Sequence, residues 1–329
     1  MGYFWVFQNK TFSEELKGEF LWAPQYDSVG KRKSHWDSMK SVKPGDFIIH
    51  CVKQKIVAIS IAMTCCYIST RPEAGFGSWQ REGWRVDTKY FLFPKAIATS
   101  ECVIELTKLQ PKIYGPFNKK ARGNTGYLFF ASKDMYELVL DKVLTTNLSS
   151  KEKRIFLLLK DEKNEISNKE NAIADESLKV SINESINKIG IDLNRIDFQY
   201  AQVPKKRGAS ILSGFIEVYP RNKKVASNAL LFAKYLCESN NSHKSFIRKN
   251  LNVPYTEPHH LIPLSYSKHF DVSLDVEENI VSLCSNCHNQ LHYGKEFEEI
   301  LKQLYNQRSD LLKNVGLTIT YEELLVMYL

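Results

Sequence analysis

Short apolar runs separated by polar turns dominate the first part of the chain. YFWVF, DFIIHCV, KIVAISIAM, WRVDTKYFLF and ECVIEL, all between residues 3 and 106, have the length and the β-branched and aromatic content of strands. KPGD and RPEAGFG punctuate them with turn residues. SEELKGE and SKDMYELVLDKVL instead show helical spacing, with Ser132 placed to cap the second. Residues 1–147 therefore predict a compact, mostly β domain. From 148 to 219 the pattern dissolves into polar sequence such as KDEKNEISNKENAIADES, which reads as a linker or variable region. IDFQYAQVP, near the end of that stretch, fits either neighbour. Periodicity returns in 220–329, with helices expected at SNALLFAKYLCE, KEFEEILKQLYNQRSDLLKN and YEELLVMYL, and a strand within PYTEPHHLIPL.

Charge sharpens this division. The chain has 329 residues and a net charge of +8. Residues 201–250 hold ten Lys or Arg against two acids, so this window alone equals the excess of the whole. Residues 150–200 carry nine basic and ten acidic residues and are nearly neutral. A solvated surface is the plain reading of the basic window; beside a metal-type motif, a phosphate-facing surface is the sharper one. No stretch approaches the roughly 20 apolar residues a membrane helix needs, and MGYFWVFQNK lacks a leader pattern. The expectation is a cytoplasmic protein with no membrane partner.

Seven scattered cysteines do not form a disulfide framework. Cys284 and Cys287 stand at C-x2-C spacing, at which two thiolates reach one tetrahedral zinc. Upstream, CESNNSH supplies Cys237 and His243, so a structural zinc site of Cys237, His243, Cys284 and Cys287 is expected; reduced core cysteines without metal are the alternative. His288 and His292 follow at i and i+4 and share a helix face. His259 and His260 are adjacent, and strand alternation points them to opposite faces unless the strand ends or kinks, as Pro258 and Pro263 would allow.

HHLIPL, then Asn279 in ENIVSLC, then CSNCHNQLH, resembles the HNH nuclease motif over roughly 237–294. The resemblance implies a ββα-metal finger with flanking helices. It also implies His260 as general base, His259 and His288 as ligands of a catalytic divalent ion with His292 as a third, and Asn279 as a structural brace of the loop between the strands. Many relatives carry a second C-x2-C; here Asn240 stands at its partner position and His243 must substitute. Histidine titrating near neutrality suits water activation, and a cation offsets charge on the phosphoryl group. Imidazole ligands accept Mn, Co, Ni or Zn as well as Mg. One such site cuts one strand, so a double-strand break requires a dimer or two separate nicks.

YFWVFQNK, LWAPQ, HWDSMKSVKPGDFIIHCVKQKIVAISIA, GWRVDTKYFLF and GNTGYLF resemble the EVE branch of the PUA-like superfamily over about 130 residues. That implies a β-barrel reader with an aromatic pocket for a modified base. All five tryptophans lie in this part of the chain. Trp22 and Trp84 are the expected sandwich around a flipped base, with Trp36 at the rim and Asn9 or Asp37 reading the base edge. Ordinary core packing is the alternative for each. The overall expectation is an α+β chain resembling the EVE-HNH endonucleases. It would recognise double-stranded DNA bearing 5-methylcytosine or 5-hydroxymethylcytosine and cut it, in restriction of foreign DNA. A non-catalytic reader with a structural zinc module and an RNA-directed PUA-like protein are the competing readings.

Overall fold

The computed structural model describes residues 1–72, 81–161, 178, 199–213, 216–249 and 251–329. The chain divides into two compact units, Met1–Lys160 with Leu329, and Asp161–Tyr328.

The first unit is built on a seven-stranded sheet: β1 (Tyr3–Phe7), β2 (Phe20–Pro24), β3 (Phe47–Val52), β4 (Lys55–Ala62), β5 (Tyr67–Thr70), β6 (Glu82–Ala98) and β7 (Leu128–Phe130). The strands run β2-β6-β4-β3-β1-β7, and β5 also pairs with β6. Only β1 and β3 pair in parallel; the other pairings are antiparallel. β6 is longer than the apolar pattern predicts because one half pairs with β2 and β5 and the other with β4. The sheet curls into a half-barrel, whose interior holds Phe4, Val6, Leu21, Ala23, Ile48, Val86 and Leu128. Its outermost strands are linked by a side chain: the Tyr127 hydroxyl lies 3.2 Å from the Trp22 amide nitrogen.

Helix α1 (Phe12–Lys17) brings Glu15 into this seam, where it accepts from the Tyr127 hydroxyl, the Trp22 N–H, Thr11 and Gln8. Gln8 in turn meets His50, whose other ring nitrogen lies 2.7 Å from Ser60 Oγ. Burial pushes the Glu15 carboxyl up to about 7 despite these four donors, and holds His50 down at about 3. A short helix α2 (Ser34–Asp37) follows β2. ECVIEL, expected as a strand, lies mostly in helix α3 (Val103–Leu109). Cys102, Leu106 and Leu109 stand at i, i+4 and i+7, and Ile104 is 64% exposed, so the short apolar run follows a helical stripe. Helix α4 (Lys133–Leu144) is capped by Ser132, whose hydroxyl accepts from the Met135 N–H at 3.1 Å. Its Tyr136 stacks on Phe47 at 4.5 Å. Helix α5 (Ser150–Lys160) completes the unit, with the Tyr136 hydroxyl donating to the Leu159 carbonyl.

The second unit contains the hairpin β8 (Ile211–Ser213) and β9 (Ile216–Val218), helix α6 (Lys223–Phe232), and the antiparallel pair β10 (Glu257–His260) and β11 (Ile280–Leu283). Helices α7 (Ser285–Tyr293), α8 (Phe297–Asn314) and α9 (Tyr321–Tyr328) follow. α6 starts at an Asn222 cap, earlier than the apolar pattern places it, and the chain leaves it through left-handed Lys234 and Tyr235. The described part of IDFQYAQVP belongs here: Tyr200 accepts from the buried Arg308, and the Gln202 N–H donates to Glu278. Among the described residues, no helix is long and apolar enough to cross a membrane.

Candidate active site and metal centres

The strand pair and α7 assemble the histidines. β10 ends at His260, with His259 opposite Val281 and His260 opposite Ile280. Alternation sends their rings to different partners. His259 faces α7 and α9: its ring lies 5.1 Å from that of His288 and 4.9 Å from that of His292, and its Nε2 is 2.8 Å from the Tyr328 hydroxyl. One donor atom from each of His259, His288 and His292 lies within 4.8 Å of the others, with His259 and His288 buried and His292 exposed. That donor set fits one cation with an open side. Glu257 Oε2 stands 2.9 Å from His288 Nδ1, an approach without hydrogen-bond geometry.

His260 turns the other way and meets Asp275, Nε2 to Oδ1, at 3.0 Å. The second carboxylate oxygen of Asp275 accepts from the Asn222 N–H at 2.6 Å, tying the pair to the start of α6. Asn279 is fully buried; its amide donates to the carbonyls of Ile262 and Leu274 and its Oδ1 accepts from the Ile262 N–H. Glu257, Asp275 and Tyr328 were not singled out by sequence reasoning. Only Glu257 stands near the histidine pair in sequence; Asp275 and Tyr328 arrive from separate elements.

A second cluster lies at the other end of α7. Cys284 precedes the helix, Cys287 sits in its first turn, and Cys237 and His243 come from the segment after α6. His243 Nδ1 is 3.2 Å from Cys287 Sγ and 3.9 Å from Cys284 Sγ. The four donors lie within 4.8 Å of one another. Thiolates around a zinc ion stand about 3.8 Å apart, given bonds of about 2.3 Å and tetrahedral angles, so the set can bind a metal ion. Burial alone would raise the Cys237 thiol, but the N–H groups of Cys284 and Asn240, the Ser239 hydroxyl and His243 draw it down to about 6. Burial pushes Cys287 up to about 12.

Residues 237–294 match the HNH endonuclease family model. This segment is an HNH endonuclease domain. The chain is 38% identical over 89 residues to the type IV methyl-directed restriction enzyme EcoKMcrA of Escherichia coli K12, a match covering 27% of this chain and 30% of that protein. It thus spans less than a third of that relative's length. Solved structures similar to parts of the chain include the phosphorothioation-dependent restriction endonuclease ScoMcrA (TM-score 0.25, 11% identity, 95% of this chain and 57% of that one). Human THYN1 in complex with 5-methylcytosine-containing DNA is another (TM-score 0.30, 10% identity, 45% of this chain and all of that one).

In the first unit the expected pocket residues separate. Trp22 is fully buried, with its indole packed against Gly83, and presents no face to a ligand. Asn9 lies at the opposite end of β6 from Trp84, because the β3–β4 turn it touches adjoins Ala98. Its side chain accepts from the Lys53 N–H at 2.7 Å, bracing a turn in which both Lys53 and Gln54 have positive φ. Trp36 and Trp84 pack on the same core cluster. Lys40 Nζ lies 4.4 Å over the Trp84 ring and 2.7 Å from Asp37. Trp84 pairs with Ala23 across the sheet, and Gln25 stands two residues further on, in the bend that follows β2. The Trp84 Nε1 and Gln25 Nε2 donors are buried without a hydrogen-bond partner. Lys40 and Gln25 were missed in the sequence, which offers no local signal for them. Trp79 lies outside the described residues.

The basic window is partly committed to internal contacts. Arg207 donates to the carbonyls of Ser267 and Phe270, Lys205 pairs with Glu277, and Arg248 is buried. Lys206, Lys223, Lys224, Lys234, Lys244 and Lys249 are exposed.

Proposed function

We propose that the protein is a modification-dependent DNA endonuclease in which the half-barrel reads a modified cytosine and the HNH domain hydrolyses a nearby phosphodiester. The carrying observation is that β10 and α7 bring His259, His288 and His292 together as one donor set while the adjacent His260 pairs with Asp275. His260 takes a proton from a water molecule, whose oxygen attacks phosphorus while the 3′ oxygen departs. Asp275 holds the imidazole in register and stabilises the cation formed when the proton arrives. His259, His288 and His292 would hold a divalent ion, which supplies charge neutralisation at the phosphoryl oxygens and leaving group. Tyr328 orients one of these ligands, His259, and the Glu257 carboxylate lies beside another, His288. Cys237, His243, Cys284 and Cys287 would hold a structural zinc.

The reader site is proposed at Trp84, Trp36 and Asp37, with Lys40 and Gln25 added. A cytosine edge offers two acceptors and one amino donor. The unpartnered Gln25 amide and the Asp37 carboxylate offer part of the complement, and the Trp84 ring offers its face. A base swung out of the duplex stacks on Trp84 in place of Lys40, and the contacts offset a flipping cost of a few kcal/mol. The exposed lysines of 201–250 hold phosphates without sequence preference.

Cleavage of matched unmodified, 5-methylcytosine and 5-hydroxymethylcytosine duplexes with Mg or Mn tests this. Only modified DNA should be cut, and His260→Ala should slow cutting by roughly 10²–10⁴-fold with binding retained. Equal cutting of unmodified DNA removes the reader assignment and leaves the nuclease. Binding without cutting by the unaltered protein in any metal favours the non-catalytic reader.

A further inference from the structure

The segment between His243 and β10 presents two large apolar side chains to solvent: Phe246 is 64% exposed and Ile247 53%. The backbone beneath them is fixed. The Tyr255 N–H donates to the Phe246 carbonyl at 2.8 Å, the Arg248 N–H donates to Val253 at 2.9 Å, and Ile247 bridges Pro254. Phe246 stacks on Tyr255, with ring centres 4.6 Å apart and planes 16° from parallel. Arg248 is buried beneath this hairpin. Its guanidinium donates to the Thr256 carbonyl and lies 4.8 Å from the Tyr255 ring centre. The apolar pair is therefore held out on a braced support, at a set distance along the chain from His259 and His260.

The surroundings select the partner. Lys244 and Lys249 flank the pair and are exposed, and no acidic residue occurs between Glu238 and Glu257. Protein interfaces are depleted in lysine at their cores. Two apolar residues between lysines suit a nucleic-acid duplex, where ammonium groups meet phosphates and apolar side chains enter between base pairs.

We infer that Phe246 and Ile247 form a wedge that inserts into the base stack of the bound DNA duplex, kinking it beside the HNH site. The inference rests on the proposed action on DNA. Stacking on Tyr255 presets the angle of Phe246, and Lys244 and Lys249 seat on phosphates flanking the opened step. Insertion also places the scissile phosphate at a fixed offset from the kink.

The test scans 2-aminopurine through a short duplex containing the modified cytosine, using the full-length, metal-loaded protein. His260→Ala serves as the background, so that the duplex survives. Fluorescence should rise at one or two neighbouring steps on binding. Phe246→Ala with Ile247→Ala should abolish the rise and weaken binding about tenfold, with the slope of affinity against salt retained. Phe246→Trp should restore the rise, which a misfolded variant would not. Equal 2-aminopurine signals with and without the double substitution overturn the wedge. Sedimentation of the double variant as a smaller species than the unaltered protein, without DNA, also overturns it and assigns the patch to contact between copies. Failure of the unaltered protein to bind any duplex defeats the nuclease reading itself, whereas binding and cutting with no fluorescence rise defeats only the wedge.

Discussion

One buried polar network of the half-barrel and the two donor clusters of the HNH domain are built in opposite ways. In the half-barrel, Gln8, Glu15, His50, Ser60 and Tyr127 answer one another, so these five side chains satisfy each other within the protein. In the HNH domain two sets of donor side chains gather without being used up among themselves: four at one end of α7 and three at the other. A closed network stabilises and specifies a fold. An open donor set is costly to a fold unless an ion completes it. The difference separates scaffold from site without reference to any relative.

Metal removal is the strongest way to break that comparison. A chelator, or Cys287→Ala, should cost the C-terminal unit on the order of 10 kcal/mol of metal-linked stability, read as rapid proteolysis of residues 237–294. All five tryptophans lie in the first unit, so their emission should stay constant. A simultaneous change in tryptophan emission would mean that the closed network also depends on the metal.

The next effect belongs to Glu15. Its folded-state value of about 7 exceeds its ordinary 4.5, so the folded chain binds a proton that the unfolded chain releases. Its stabilising contribution is complete below about pH 4.5 and declines as pH rises towards 7, by about 3 kcal/mol across that window. Urea unfolding of the first unit should show this slope, and Glu15→Gln should flatten it. A slope unchanged in the variant would place the titration elsewhere. Smallest is Ser132→Ala, which removes the cap of α4 and should lower the unit's stability by about 1 kcal/mol, with no effect on resistance of the HNH domain to proteolysis.

How much of this was legible depended on how far along the chain each arrangement was assembled. Cys284, Cys287, His288 and His292 occupy one helical stretch, so the pitch of α7 writes their geometry directly into their spacing. Cap Ser132 was equally local. Asp275 reaches His260 across fifteen positions and Tyr328 reaches His259 across sixty-nine, and nothing in either neighbourhood announces it. In the first unit, tryptophan abundance suggested a pocket, but aromatic content serves cores and pockets alike. Strand register put Trp84 on the face of Ala23 and left Trp22 sealed beneath Gly83. ECVIEL misled because a run that short satisfies both periods.

Residues 284–292 supply four of the seven donors in the two clusters. This makes them a portable unit. Any scaffold that ends a strand where β11 ends and launches a helix along the axis of α7 receives two of the four donors of one cluster and two of the three of the other in a single transplant. It then needs only a histidine on a neighbouring strand for one, and a cysteine and a histidine on an adjoining loop for the other. A lineage could redraw everything else in the fold and carry the chemistry forward in nine consecutive codons.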